Sequence, residues 1–197
     1  MASDGCLQKD GRHLDLTSKD LEQLSNFADA LGRDMLIGTK RNAKGQIAYR
    51  IQFSDVAYYD FLLSVGLTPA KSTTIDALRV PDSFYADFLR GLFDGDGSCY
   101  GFIDKRWQSS FMFYTYFASA SPNFINYLRL NNTRLAGTSQ GSINSSSRAL
   151  SLTYAKADSR KLFNFMYYQG HGLCLTRKKT KLAAFVDRDE TAIIVQR

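Results

Sequence analysis

Stretches in which apolar and polar residues alternate occur in both halves of the chain, and helical apolar patterns follow them. The stretches RHLDLTS (residues 12–18) and SSFMFYTYFAS (residues 109–119) each come after an Asp-Gly pair. Alternation with a period of two predicts strands that are buried on one face. In the next segments, SKDLEQLSNFADALG and SPNFINYLRL, apolar residues recur every three to four positions. These segments predict helices, with Ser18 and Ser121 as N-caps.

The same order continues through a second set of elements in both halves. Turn-rich hairpins lead into the strand patterns QIAYRIQFS and RALSLTYA, and the helical patterns SDVAYYDFLLSVG and SRKLFNFMYYQG follow. Each half then closes on a lysine, Lys71 in GLTPAKS and Lys178 or Lys179 in LCLTRKK. The offset between matched positions drifts from 92 at Asp4 and Asp96 to 107 at Lys71 and Lys178, as loop insertions would cause. We infer an internal duplication.

The predicted elements give an α+β protein of two similar repeats. The first repeat covers residues 1–72, a linker covers 73–82, and the second repeat covers 83–197. Pro81 marks the end of the linker, because proline lacks a backbone donor and restricts the residue before it. Asp82 or Ser83 can then cap the helix that follows.

The helix that opens the second repeat is apolar along one face and ends in two acids. Phe84, Phe88 and Leu92 share the apolar face of this helix, which is expected near Ser83–Phe93. Gly91 next to Leu92 permits the close approach of another helix. Asp94 and Asp96 follow in the segment FLRGLFDGDGS, where the helix dipole is negative. Carboxylates there are unfavourable unless a cation compensates them, and Mg²⁺ takes such oxygen ligands. Taken alone, the alternating acids and glycines are also typical of an ordinary helix stop and turn.

Composition and charge narrow the class of protein. The chain has 25 Lys and Arg against 19 Asp and Glu, which gives a net charge of +6 and is a mild indication of a polyanionic partner. Its three cysteines are far apart and odd in number, which predicts reduced thiols in an intracellular compartment such as the cytoplasm or an organelle matrix. No apolar run reaches the length of about 18 residues that a membrane span needs, and no secretion signal is recognised.

The segment LRGLFDGDG resembles the LAGLIDADG motif of homing endonucleases. The proline-bounded linker, GLTPAKS before it, and CLTRKK near the end resemble the single-chain, two-repeat members, and the resemblance runs from Ala2 to about Leu182. It implies two αββαββα repeats related by a pseudo-twofold axis, with curved antiparallel sheets that form a DNA-binding saddle. It also implies intron homing by a site-specific endonuclease that hydrolyses double-stranded DNA with Mg²⁺ or Mn²⁺.

The resemblance assigns roles to individual residues. Asp96 matches the metal-binding acid of the second motif, and Asp94 matches a position that more often caps. MASDG matches the last five positions of the first motif, which makes Asp4 the other metal-binding acid. Lys71 and Lys178 match basic residues near the catalytic centre, where they could stabilise phosphate charge or activate water. Polar residues on the open sheet faces and in their hairpins are expected to contact DNA: Lys9, Arg12, His13, Lys40, Arg41, Lys44, Arg50, Gln52, Lys105, Arg106, Gln108 and Arg148.

The first motif is matched only in part, which leaves other functions open. An intact member would have roughly ten more residues before Met1, so we expect the motif helix of the second repeat to expose an apolar face. A two-repeat chain is expected to be a monomer, but that face could support a dimer. A catalytically impaired DNA- or RNA-binding protein of the same fold, such as a maturase or regulator, is the main alternative. A structural or protein-binding α+β domain would require the repeat to be coincidental.

Two further functions of particular residues have little support. His13 and His171, the only histidines, lie in different repeats, so a Ser–His or Cys–His hydrolase would need unsupported pairings. Trp107 and the eleven tyrosines could stack on bases, but the composition favours a role in two α/β cores.

Overall fold

The structure is a computed structural model that describes residues 1–41, 45–105, 110–146 and 149–189, together with the backbone of 190–195. It consists of helices and two four-stranded sheets, as the sequence predicts. None of the helices in these ranges is both long enough and apolar enough to cross a membrane.

The first repeat is built around an antiparallel sheet in the order β1-β2-β4-β3. Two helices follow its strand pairs, one after β2 and one after β4. The elements are β1 (Gly5–Leu7), β2 (His13–Ser18), α1 (Leu21–Ala30), β3 (Gly38–Arg41), β4 (Ile47–Ser54) and α2 (Val56–Ser64).

The second repeat has a sheet of the same topology, in the order β5-β6-β8-β7. A short 3-10 turn at Asp82–Phe84 leads into its motif helix, and two helices close the chain. The elements are α3 (Tyr85–Asp96), β5 (Gly97–Ile103), β6 (Phe111–Ser119), α4 (Pro122–Ala136), β7 (Ser142–Ser145), β8 (Leu150–Tyr154), α5 (Lys156–Met166) and α6 (Thr176–Val195).

Strand register repeats in the two sheets as well. Gly5 pairs with Leu16 at the start of the first sheet, and Gly97, the matched glycine, pairs with Phe117 in the second. The alternation predicted from sequence places Leu14 and Leu16 of the first repeat, and Phe113 and Phe117 of the second, on the buried faces. The duplication therefore extends from sequence to topology and register.

The main hydrophobic core joins the two repeats. It contains Leu14 and Leu62 from the first repeat and Leu89, Phe117 and Leu152 from the second, all at most 4% exposed. Motif helix α3 is central to this core, since its Leu89 and Phe93 are fully buried. The helix thereby fixes the position of the acids at its C-terminal end.

One helix start follows the sequence prediction and another does not. Ser121 caps α4, because its Oγ accepts a hydrogen bond from the Phe124 N–H at 3.3 Å, and Pro122 occupies the first turn. The predicted cap at Ser18 is wrong, since α1 begins at Leu21 with Asp20 as N-cap. The Ser18 hydroxyl instead accepts a hydrogen bond from the Asp20 N–H at 3.1 Å, in the turn before the helix.

The predicted cap of the motif helix is also wrong. Neither Asp82 nor Ser83 caps α3, which starts at Tyr85 after the 3-10 turn. Asp82 forms a bidentate ion pair with Arg134 of α4 instead, so it ties the motif helix to the neighbouring helix.

The open face of α3 is polar, which corrects the apolar face expected from the sequence. Leu92 belongs to the core, and Phe88 packs against it. The helix face that lines a groove of about 570 Å³ carries Asp87, Arg90, Gly91 and Asp94, although Arg90 and Asp94 are themselves buried. Of the predicted apolar face, only Phe84, which precedes the helix, is exposed. A Cβ at Gly91 would meet no described heavy atom within 4 Å, so the close helix approach expected there is not made by these parts of the chain.

Candidate metal centre and nucleic-acid interface

The two motif segments cross where Ser3 meets Gly95. These residues are equivalent under the offset of 92 that relates Asp4 to Asp96. A Cβ added to Gly95 would lie 2.4 Å from the Ser3 Cβ and 3.1 Å from Asp4 Oδ2, so only glycine fits. Because equivalent residues touch at a twofold axis, this contact marks the centre of the molecule.

The crossing places Asp4 and Asp96 next to each other. Asp96 is the last residue of α3, and its side chain is exposed to solvent. Partial loss of hydration, followed by the negative charge of Asp4, raises the pKa of Asp96 above its ordinary value. The Asp4 carboxylate accepts a hydrogen bond from Gln23 Nε2 at 2.8 Å. The structure thus brings these two acids together, as the sequence predicts.

Lys178 and Lys71 bind the backbone that carries these acids. Lys178 Nζ donates to the carbonyls of Phe93, Gly95 and Gly97 at 2.8, 2.9 and 2.6 Å. Lys71 Nζ donates to the carbonyls of Ser3 and Gly5, which are equivalent to Gly95 and Gly97. Lys178 rather than Lys179 is therefore the counterpart of Lys71. A cation on these terminal carbonyls offsets the negative end of the α3 dipole.

Both lysines are buried and lie in the field of both acids. Burial lowers the pKa of Lys71 and of Lys178. The charges of Asp4 and Asp96 oppose this change at both lysines, together with Cys6 at Lys71 and Asp94 at Lys178. Each lysine therefore senses the acids of both repeats.

The donor atoms at the centre suit a hard divalent cation. In the described ranges, no group of three or more His, Cys, Asp and Glu side chains gathers to form a complete protein site. Mg²⁺ commonly takes only one or two carboxylates and completes its shell with substrate phosphates and water. Asp4 and Asp96 match that ligand number, and the negative charge of Asp4 adds to partial loss of hydration in raising the pKa of Asp96.

Asp94 has a different role from Asp96. It is 9% exposed, and its Oδ2 accepts a hydrogen bond from the Leu175 N–H at 2.9 Å, just before α6 begins. No described group pairs with its Oδ1. Burial raises the pKa of Asp94 to about 6. The assignment of Asp94 as a cap fits this contact, although the capped helix is α6 rather than α3.

Asp94→Asn is expected to change how stability depends on pH. Because the pKa of Asp94 is raised on folding, its contribution is fully present below the unfolded pKa and declines as pH rises towards the folded pKa of about 6. Relative to the native chain, the asparagine variant should gain about 3 kcal/mol of unfolding free energy between about pH 4 and about pH 7. Urea denaturation across this range measures the difference.

Asp158→Asn is the matched control for that experiment. The pKa of Asp158 is lowered in the folded chain by hydrogen bonds from Ser139 and Lys161, although burial alone would raise it. Its asparagine variant should gain no stability over the native chain as pH rises. Equal pH profiles for Asp94→Asn and the native chain would show that Asp94 titrates normally.

The open face of the first sheet is polar and gathers several predicted DNA contacts. Lys9, His13 and Gln52 line one surface recess of about 420 Å³ together with Gln8 and Asp10. His13 pairs with Asp10, and this contact lowers the pKa of Asp10 to about 2. Gln8 and Asp10 were missed from the sequence, because neither lies in a strand pattern.

The other predicted DNA contacts are placed as follows. Arg50 pairs with Asp15 across the strands β2 and β4, so part of its charge is already compensated within the sheet. The exposed residues are Lys40 and Arg41 on β3, Arg12 in the turn after β1, and Lys105 after β5. Lys44, Arg106, Gln108 and Arg148 lie outside the described residues.

The open face of the second sheet is aromatic. Tyr59, Tyr85 and Tyr154 fill the core as the sequence predicts, but a second group of tyrosines lies on this face. Tyr100 of β5 pairs with Tyr114 of β6, and their rings stack at 5.2 Å. Tyr116 and Phe102 continue this surface. The alternation in residues 111–119 already placed Tyr114 and Tyr116 opposite the buried phenylalanines, so the signal was present in the sequence.

Comparisons with known proteins agree with this geometry. No protein-family model and no curated protein matches the sequence. The LAGLIDADG meganuclease I-AabMI bound to uncleaved DNA is similar in fold, with a TM-score of 0.62 and 14% identity over 96% of this chain and 87% of that chain. I-SmaMI bound to uncleaveable DNA has a TM-score of 0.58 and 13% identity over 100% of this chain and 88% of that chain.

A third similar structure is full-length DUF199/WhiA from Thermatoga maritima. Its TM-score is 0.57 at 14% identity, and the match covers 99% of this chain but only 62% of WhiA. Identities this low establish the fold and not the activity. The chain therefore has the LAGLIDADG fold of the homing endonucleases and of WhiA.

Proposed function

We propose that this protein binds a specific site on double-stranded DNA through its two open sheet faces and hydrolyses both strands with a divalent cation. The observation that carries the proposal is the meeting of Asp4 and Asp96 at the centre of the fold. Each acid directly precedes the first strand of its own sheet, so the candidate metal centre lies between the two candidate binding faces. Duplex binding also agrees with the net charge of +6.

Asp4 and Asp96 would hold Mg²⁺ or Mn²⁺, which when bound supplies a water of lowered pKa and positive charge for the scissile phosphates. The chain itself orients these ligands. Gln23 fixes the Asp4 carboxylate, and the buried helix α3 fixes Asp96. Two carboxylates related by pseudo-symmetry are suited to two phosphates on opposite strands.

Lys71 and Lys178 would act by charge rather than by proton transfer. All three ammonium protons of Lys178 are directed at backbone carbonyls. Two of the three ammonium protons of Lys71 are directed at carbonyls in the same way. Of the two roles inferred from the sequence, stabilisation of phosphate charge is therefore the one that this arrangement supports.

Selection from a pool of random duplexes tests the binding half of the proposal. The chain should enrich one long site, and its affinity should fall steeply between about 50 and about 200 mM salt. The double variant Lys40→Ala/Arg41→Ala removes two exposed cations from β3, so the slope of log affinity against log salt should become shallower by about 2. Fluorescence anisotropy with the selected duplex measures this slope.

Lys161→Ala is the control for the salt experiment. Lys161 is also exposed, but it lies on α5, which packs against the side of the second sheet opposite to its open face. Its removal should leave the slope unchanged. Equal slopes for the β3 double variant and the native chain would contradict phosphate contact at that strand.

A DNA- or RNA-binding protein that does not cleave is the second candidate. It is favoured by the backbone hydrogen bonds of both lysines, which occupy all three protons of the Lys178 ammonium and two of those of Lys71. Under this reading, the selected duplex would be bound with high affinity but would stay intact with Mg²⁺ or Mn²⁺.

A further inference from the structure

The two open sheet faces differ sharply in charge. Among the strand residues of the second repeat, all of which the structure describes, none is charged. The strands of the first repeat carry His13, Asp15, Lys40, Arg41 and Arg50. Since the repeats share topology and register, the difference is one of surface chemistry and not of shape.

Aromatic rings take the place of charges in the second repeat. Tyr100 and Phe102 are 45% and 47% exposed, and both rings lie against Tyr114 with interplanar angles of 15° and 13°. Tyr116 packs beside Tyr100 at 6.2 Å. Rings that support one another in this way form a firm apolar surface, because each has few rotamers left to lose.

Small uncharged polar groups border the rings. Ser98 pairs across the strands with Tyr116, and Tyr116 pairs with Thr153, so hydroxyl groups flank the aromatic rings on both sides. Asn144 lies beyond them on the edge strand β7, 3.4 Å from the Thr153 hydroxyl. The face therefore offers apolar contact and neutral hydrogen bonds, and its strands carry none of the arginine or lysine side chains that read guanine or bind phosphate.

Thymine is the base that this chemistry matches in a major groove. Each thymine presents a C5-methyl group to the groove, and aromatic side chains contact that methyl favourably. Asparagine and hydroxyl groups bond to adenine, the partner base. Guanine, by contrast, is usually read by arginine or lysine. Resting on the proposed function, we propose that the second repeat reads a half-site rich in A·T pairs through thymine methyl groups, while the first repeat reads its half-site by polar and charged contacts.

The position of the aromatic face supports a duplex over another occupant. β5 begins at Gly97, immediately after Asp96, so the face starts at the candidate metal centre and runs outward from it. The equivalent face of the first repeat starts in the same way after Asp4. A single duplex that crosses the centre would meet both faces.

Uracil substitution tests the inference on the site selected by the native chain. Replacing thymine by uracil in one half at a time removes only the methyl groups. In the half-site that the second repeat reads, each lost methyl should weaken binding by about fourfold, the factor that corresponds to one buried methyl group. The variant Tyr100→Ser/Tyr114→Ser should be insensitive to uracil in that half, and its response to uracil in the other half should equal that of the native chain.

The variant Tyr100→Phe/Tyr114→Phe keeps both rings and should retain the native sensitivity, which separates ring contact from loss of folding. If the native chain selects a site but uracil has no effect that depends on these rings, the inference fails and the proposed function stands. Tighter binding of a single-stranded oligonucleotide through the same rings, or self-association that the serine variant abolishes, would also overturn it. If no duplex is enriched, both proposals fail.

Discussion

Asp96→Asn is expected to abolish cleavage of the selected duplex while affinity for that duplex, measured without divalent metal, is retained. The asparagine keeps the size of the side chain at the end of α3 but removes a charged metal ligand next to Asp4. Loss of several kcal/mol of transition-state stabilisation corresponds to a rate at least roughly a thousandfold lower. Linearisation of a plasmid that carries the site, in the presence of Mg²⁺, measures this rate.

Asp94→Asn is the matched control for that prediction. It changes the same chemical group two residues away on the same helix, but Asp94 is buried and bonded to the Leu175 N–H. The asparagine oxygen can still accept this bond, so cleavage should continue. Undiminished cutting by Asp96→Asn, or equal loss in both variants, would contradict the assignment of Asp96 as the metal ligand.

Lys178→Met is expected to have the largest effect on stability. Lys178 is 9% exposed, and its ammonium group satisfies three backbone carbonyls at the end of α3. Methionine fills a similar volume but removes the ammonium donor from all three carbonyls, and the Phe93 carbonyl then keeps only the Gly97 N–H. Removing one member of such a buried charged contact destabilises by about 3–5 kcal/mol. Urea denaturation gives the free energy of unfolding.

Two neighbouring variants calibrate the Lys178 result. Lys71→Met removes the equivalent lysine, which bonds to two carbonyls instead of three, so a smaller loss is expected. Lys179→Met alters the next residue, whose Nζ contacts the His171 ring and bonds to no described carbonyl, and should cost less than about 1 kcal/mol. If Lys178→Met and Lys179→Met were equally stable, the capping role of Lys178 would be wrong.

Much of the fold follows from the chain pattern. The two Asp-Gly pairs and the period-two stretches after them predicted the order of elements along the chain and the duplication, because each repeat buries one sheet face. The order of strands within each sheet was not predicted. The pairing of Asp4 with Asp96 followed from the same alignment. Helix starts were less predictable, since Ser18 and Asp82 found partners in a turn and in another helix.

The chemistry of the candidate metal centre was harder to predict from the sequence than the fold, because it depends on contacts between residues that are far apart in the chain. The sequence raised the question of how acids could be tolerated at the negative end of a helix, and much of the answer is Lys178, more than eighty residues along the chain. The polar residues that α3 places along its groove, Asp87, Arg90 and Asp94, were not predicted, because Phe88 and Leu92 suggested an apolar face. No local pattern reports such contacts between elements that meet only in the folded chain.

Counting bound Mn²⁺ on the complex of the chain with its selected duplex tests the central claim most directly. Electron paramagnetic resonance reports the free ion, so the bound number follows by difference. The complex of the native chain should bind Mn²⁺ at the centre. The complex of Asp96→Asn should bind it more weakly, and the complex of Asp4→Asn/Asp96→Asn should not bind it there. All three proteins should still bind the duplex. An equal number of Mn²⁺ ions, held with equal affinity by the native and the double-variant complexes, would contradict a metal centre built from these two acids.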